Sequence, residues 1–162
     1  MAQVGARPAS PLTLLREHAE ALRRLLDGEE VTTSGRYVHL DRVRLDWPPV
    51  AGTPLYVGGT GPRTLELAGA VGDGILLGSD LSVADVAESV AAARLGWAED
   101  APMPVVTHLL VTTRDAGGVA DDVRDLTAVG VTTVVFQPGE DESDLEGFVE
   151  FVGRDVRAAL AG

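Results

Sequence analysis

Apolar positions change their spacing twice along the chain, and each change marks a new kind of element. In "SPLTLLREHAEALRRLLDG", Leu14, Leu15, Leu22, Leu25 and Leu26 recur at helical spacing and predict one apolar face. Ser10 is placed to cap this helix, Pro11 suits its first turn, and Gly28 suits its end. In "EEVTTSGRYVHLDRVRLDWPPVAGT", Tyr37, Leu40, Val43 and Leu45 mix with polar residues until Pro48 and Pro49. That pattern predicts short extended pieces, a hairpin-like excursion rather than a helix.

From Pro54 the chain becomes regular. Strands over "PLYVGG", "GILLGS", "PVVTHLLVTT" and "VTTVVFQPG" alternate with helices over "GPRTLELAGAVG", "SVADVAESVAAARLGWAE", "GVADDVRDLTAVG" and "SDLEGFVEFVGRDVRAAL". Ser82 with Asp85, and Ser143 with Glu146, have capping-box spacing, and Gly130 closes the third helix. The strands are near-continuous apolar runs, as expected of parallel strands covered on both faces. Four strand-helix units in a row predict an α/β fold with a parallel sheet. Two architectures satisfy the pattern: an open sheet with helices on both faces, and half of a (β/α)8 TIM-type barrel with helices outside only. The expected organisation is one domain over 1–162, with a helix at 11–28, the excursion at 29–53 and the four βα units at 54–162.

Composition removes several functions. The 162 residues carry a formal charge of -12, and the thirteen basic residues are all arginine without clustering. No basic stripe is present to neutralise nucleic-acid phosphates. Cysteine is absent, so disulfide and thiol chemistry are excluded. No apolar run approaches the roughly 20 residues that span a bilayer. "MAQVGARPAS" lacks the apolar core of a signal peptide, and a cytoplasmic protein is the default expectation.

The candidate chemistry lies where strands end. Gly58, Gly59, Thr60, Gly61, Pro62 and Arg63 join the first regular strand to its helix. Glycines let a phosphate approach the backbone, a helix start offers unpaired N–H groups, and Arg63 offers a charged donor. The plain alternative is a tight turn in which the glycines serve geometry. Gly78, Ser79 and Asp80 end the next strand, at the edge where α/β barrels carry their ligands. Asp80 reads better as a turn or cap residue. His18 and His39 have no partner at metal-ligand spacing, and no metal site is expected. His108 interrupts a strand and shares a face with Val106 and Leu110, placing it in the core or beside a ligand ring. Gln137 ends the last strand and reads as a turn residue rather than a ligand contact. No Ser-His-Asp set or paired carboxylates stand out, so the catalytic residues are unassigned.

The stretch "PLYVGGTGPRTLELAGAVGDGILLGS" resembles the luciferase-like monooxygenase superfamily, and within it the oxidoreductases that use the deazaflavin coenzyme F420. "LREHAEALRRLLDGEEVTTSGRYVHLD" and "GVTTVVFQPGEDESDLEGFVEFVGRDVRAAL" are similar to that family's segment between the fourth and fifth barrel strands and to its closing strand and helix. The resemblance implies that the four strands are the last four of the barrel. It further implies F420 or FMN as cofactor, with Gly58, Gly59, Thr60, Gly61 and Arg63 at its phosphate end and Gly78 and Ser79 nearby. Hydride transfer or monooxygenation of a small organic substrate then needs the other four strands, from a homodimer mate or an N-terminal-half partner. The alternative is a non-catalytic oligomerising half-barrel that no longer binds cofactor. On either reading the isolated chain is expected not to turn over.

Overall fold

The structure, a computed structural model, describes residues 8–50 and 52–162. Helix α1 spans Pro11–Leu26 and buries Ala19 and Ala21. Leu22 is 42% exposed, so the apolar face is narrower than its leucines predict. Ser10 precedes the helix but does not cap it through its side chain. Its hydroxyl meets the Thr13 hydroxyl at 2.7 Å, and its N–H donates to the Tyr37 phenol at 2.7 Å. Gly28 follows the C-cap at φ 82°, where a side chain would be strained.

Strands β1 (Val31–Ser34) and β2 (His39–Val43) pair antiparallel as a hairpin. A bulge breaks their register near Thr32. There the Arg42 N–H, at φ 50°, donates to the Thr32 hydroxyl at 3.0 Å. The hairpin is held to α1 by one carboxylate. Glu17 accepts the backbone N–H groups of Arg36 (2.9 Å), Tyr37 (2.7 Å) and Val38 (3.0 Å). Those amides, Tyr37 first, hold the Glu17 carboxyl below its ordinary range, because each favours the charged form.

The main sheet contains β3 (Tyr56–Gly58), β4 (Gly74–Leu77), β5 (Val105–Val111) and β6 (Thr133–Pro138), in that order and all parallel. Helices α2 (Pro62–Val71), α3 (Val83–Arg94) and α4 (Ala116–Ala128) connect them. After β6 come α5 (Leu145–Glu150), a π-helical turn (Phe151–Val156) and α6 (Arg157–Ala161). The α3 capping box forms as its spacing predicts, with the Asp85 N–H on the Ser82 hydroxyl and the Ser82 N–H on Asp85. The second predicted box does not form. Asp144, not Ser143, caps α5, accepting the Gly147 N–H at 2.9 Å. The helix begins at Leu145, which puts Asp144 and not Ser143 at the N-cap.

The core lies on one side of the sheet. Val57, Ile75, Leu77 and Val105 pack with Leu65 and Ala68 of α2 and Val86, Val90 and Ala93 of α3. Phe136 and Leu109 pack with Val119 of α4 and with Phe148, Phe151 and Val156 of the last helix. The α2–α3 crossing is close because two glycines lie in it. A Cβ on Gly69 would overlap the Ala93 carbonyl oxygen, and one on Gly96 the Glu66 carbonyl oxygen.

Among the described residues no helix covers the other side of the sheet. Pairing registers Leu76 with Val106, Val106 with Thr133, His108 with Val135, and Leu110 with Gln137, so these residues share one face. Leu76, Leu110 and Val135 on it are 39%, 44% and 40% exposed. On β6 the pattern is clean: Thr133, Val135 and Gln137 are exposed, while Val134 and Phe136 are half-buried. One expectation changes here. The sheet is covered on one face, not two. Ile75, Leu77, Val134 and Phe136 point toward the helices, while Val106 and Leu110 lie on the open face. Of the two predicted architectures, the helices-outside arrangement of four (β/α)8-barrel units is the one formed.

Candidate functional site

Because the strands are parallel, their C-terminal ends share one rim: Gly58, Leu77, Val111 and Pro138. Four consecutive connections leave from that rim, which is where barrels of this kind assemble their sites. At β3 the chain turns through residues 58–61 into α2. Gly61 is the N-cap with an extended backbone, Pro62 fills the first helical position, and no side chain caps this end. The Gly61 carbonyl accepts the N–H groups of Thr64 and Leu65, each at 2.9 Å. Thr60 and Arg63 are exposed, and Arg63 makes no ion pair or side-chain hydrogen bond with any described residue.

The glycines of this loop are not explained by backbone strain. Gly58, Gly59 and Gly61 all lie outside the left-handed region. Packing accounts for one of the three. A Cβ on Gly59 would come within 2.7 Å of Thr64 Cγ2. A Cβ on Gly58 would make an ordinary 3.6 Å contact with the Leu76 carbonyl, and one on Gly61 meets nothing nearer than Thr64 Oγ1 at 3.9 Å. Gly58 and Gly61 therefore leave open space above the loop that no described residue fills.

Gly78 and Ser79 form the adjacent rim turn, beside residues 58–61, with the Thr107 hydroxyl donating to the Gly78 carbonyl at 3.2 Å. Asp80 is exposed in that turn, and Ser82 rather than Asp80 caps α3. A cavity of about 220 Å³ opens between α2 and α3, touched by Thr60 and Pro62. Asp85 and Glu88 line it, and two carboxylates make it unsuitable for a phosphate.

The histidines separate. His18 Nδ1 lies 2.8 Å from the Leu14 carbonyl on α1, and His39 is exposed on β2. His108 is half-buried on the open face near the rim. Gln137 shares that face, exposed, on β6. Among the described residues no group of three or more His, Cys, Asp or Glu side chains is arranged to hold a metal ion. Two features carry no sequence signal. Arg114, just past β5, stacks 5.7 Å and 5.4 Å from the rings of Phe148 and Phe151, bonds the Gly147 carbonyl at 3.0 Å and pairs with Glu142. It closes one wall of a cavity of about 340 Å³ at the ends of β5 and β6. Glu17 is the other, since its partners are backbone amides that a sequence pattern cannot mark.

Four parallel βα units with outside helices and a glycine-lined rim define part of a (β/α)8 barrel. The chain belongs to the luciferase-like monooxygenase family, whose profile matches residues 1–150. A 5,10-methylenetetrahydromethanopterin reductase of Archaeoglobus fulgidus is 27% identical over 162 residues, covering 98% of this chain and 47% of the reductase. The chain thus spans about half the length of that relative. Two solved structures share the fold. An F420-dependent secondary alcohol dehydrogenase in complex with an F420-acetone adduct superposes with a TM-score of 0.77 at 16% identity, over 96% of this chain and 64% of the other. A coenzyme F420-dependent tetrahydromethanopterin reductase from Methanopyrus kandleri gives 0.74 at 18%, over 95% and 65%.

Proposed function

We propose that this chain is the phosphate-holding part of an F420-dependent oxidoreductase acting on a small organic substrate in the cytoplasm. The observation that carries the reading is the open space above Gly58 and Gly61, glycines that neither backbone conformation nor packing demands. Thr60 and the unpaired Arg63 supply a hydroxyl and a charged fork beside that space. The start of α2 has no side-chain cap and supplies the Arg63 N–H, since Pro62 has none and those of Thr64 and Leu65 bond the Gly61 carbonyl, and Gly78 and Ser79 border the same rim. The residues present fit a phosphate-bearing cofactor. The F420-dependent enzymes among its relatives favour F420 over FMN. Such a cofactor, when bound, supplies the hydride chemistry, and the protein supplies binding and orientation.

The open face bears on completeness. Leu76, Leu110 and Val135 each lose part of the roughly 1.5–3 kcal/mol that full burial gives such a side chain. A second copy of this sheet, or a partner carrying the other barrel strands, covers that face and supplies the far wall of the site. The same exposed residues favour a second reading, in which the chain is an assembly module without cofactor.

Size-exclusion chromatography of the protein mixed with F420 separates the two. Co-elution of the deazaflavin absorbance with the protein supports the first reading. Colourless protein at saturating F420 and FMN overturns it in favour of the second.

A further inference from the structure

The formal charge of -12 is unevenly placed. Residues 31–45, around the hairpin, hold three arginines and one carboxylate, while residues 115–150, from α4 to α5, hold ten carboxylates and one arginine. The fold sets these stretches at opposite ends of the sheet. On the β3 side α1 packs against α2, and the hairpin packs against α1. On the β6 side the π-helical turn and α6 pack against α4. Each end therefore presents a helix as its outermost layer, and each of those helices has an apolar flank in water. On α1, Leu15 meets the core and Arg23 pairs with Asp73. His18, Leu22 and Leu25 turn another flank outward and, with Leu40 of β2, line an open groove of about 430 Å³. On α5, Phe148 is buried, while Leu145 and Val149, one turn apart, are 58% and 67% exposed. Arg36 and Arg44, before and after β2, form no ion pair with any described residue, and neither do Glu146 and Glu150 beside the α5 stripe.

Shape decides how two such ends can meet. Four strands make half the turn of an eight-stranded barrel, so the two ends of this sheet face the same way across the diameter. A two-fold axis along the barrel direction then sets the α5 end of one copy on the α1 end of the other, and does so twice. We propose that Leu145 and Val149 of each copy seat in the groove between α1 and β2 of the other, with the carboxylates of α4 and α5 against the hairpin arginines, in two identical joints. Opposite charge favours this pairing and disfavours the like-end arrangement, in which ten carboxylates would face ten. The inference rests on the second-copy cover stated above and names what holds that cover in place. The joints join helix to helix, and the apolar stripe and groove leave water together.

Charge exchange tests the joints. One variant combines Arg36→Glu with Arg44→Glu, and the other combines Glu146→Arg with Glu150→Arg. All four positions are exposed, so both variants should melt with the wild type. Sedimentation equilibrium should show each variant alone dimerising about tenfold more weakly than the wild type, and the wild-type dimer weakening with added salt. An equimolar mixture of the two should dimerise as the wild type does, because one joint is then reversed on both sides and the other is native on both. A dimer held by its open faces alone has no such rescue. The absence of cysteine allows a second measurement. Leu22→Cys mixed with Val149→Cys should give a disulfide-linked dimer on mild oxidation, and neither variant should do so alone. A dimer indifferent to both charge variants, or a mixture that dimerises no better than its components, overturns the joints and leaves the second-copy cover standing. A monomeric wild type overturns both.

Discussion

The backbone N–H of Tyr37 lies 2.7 Å from Glu17 Oε2, twenty positions away in sequence, and it is the leading cause of that carboxyl's lowered pKa. A group with a depressed folded pKa stabilises the native state above its ordinary value, here 4.5, and loses that contribution as pH falls through the folded value. The melting temperature of the wild type should therefore fall more steeply below about pH 4.5 than that of Glu17→Gln, which cannot titrate. Thermal melts by circular dichroism between pH 7 and pH 3 measure the two slopes. Parallel slopes would remove Glu17 from the acid sensitivity.

Gly69→Ala should destabilise the fold by roughly 1–3 kcal/mol, because α2 and α3 must separate to admit one methyl group. Gly153→Ala, with open space at its Cβ, is the control and should be neutral or slightly stabilising. Urea titration of both variants gives the comparison. Equal midpoints would mean that the crossing yields without cost.

At the rim, Gly61→Val should fold with an unchanged melting temperature and lose F420 binding, since its side chain enters the space above the loop and touches little of the chain. Gly59→Val is the poorer probe, because Thr64 must also move. Arg63→Ala should weaken binding by roughly 1.5–3 kcal/mol if the arginine contacts the phosphate directly. Fluorescence titration reads all three. Wild-type affinity in both Gly61→Val and Arg63→Ala would make the loop a plain connection.

Light scattering on the purified chain should report a dimer, in which each copy covers the other's open face. Leu110→Glu combined with Val135→Lys places charges in that seam and should shift the population to monomer. A cooperatively melting wild-type monomer at micromolar concentration would contradict the proposed cover.

Particular residues show how far the chain could be read from its sequence. Element order and the α3 cap were legible because they rest on local chemistry: Ser82 and Asp85 sit three positions apart and answer each other. The luciferase-like membership was legible because its signature is contiguous, and "ELAG" turns out to place Gly69 at the α2–α3 crossing. Strand facing was not legible where every residue is apolar. In "GILL" alternation cannot choose between Ile75 with Leu77 and Leu76, and only the pairing of Leu76 with Val106 decides it. At the last helix, Ser143 and Asp144 are both competent caps, and loop geometry selects the second. Arg114 escaped notice because its rings, Phe148 and Phe151, lie more than thirty residues away. The glycine loop was visible, while its distinguishing property, glycine without strain, appears only in three dimensions.

The ladders of the main sheet grow unequally, from three registered pairs in β3–β4 to six in β5–β6. Amide hydrogen exchange should follow that gradient, slowest in β5 and β6 and fastest in the three residues of β3. The strand that carries the glycine loop is then the first part of the sheet to open. A ligand gripping residues 58–61 would slow exchange at Tyr56 and Val57 beyond its own footprint, so that occupancy of the rim is recorded as rigidity at the sheet's loosest edge.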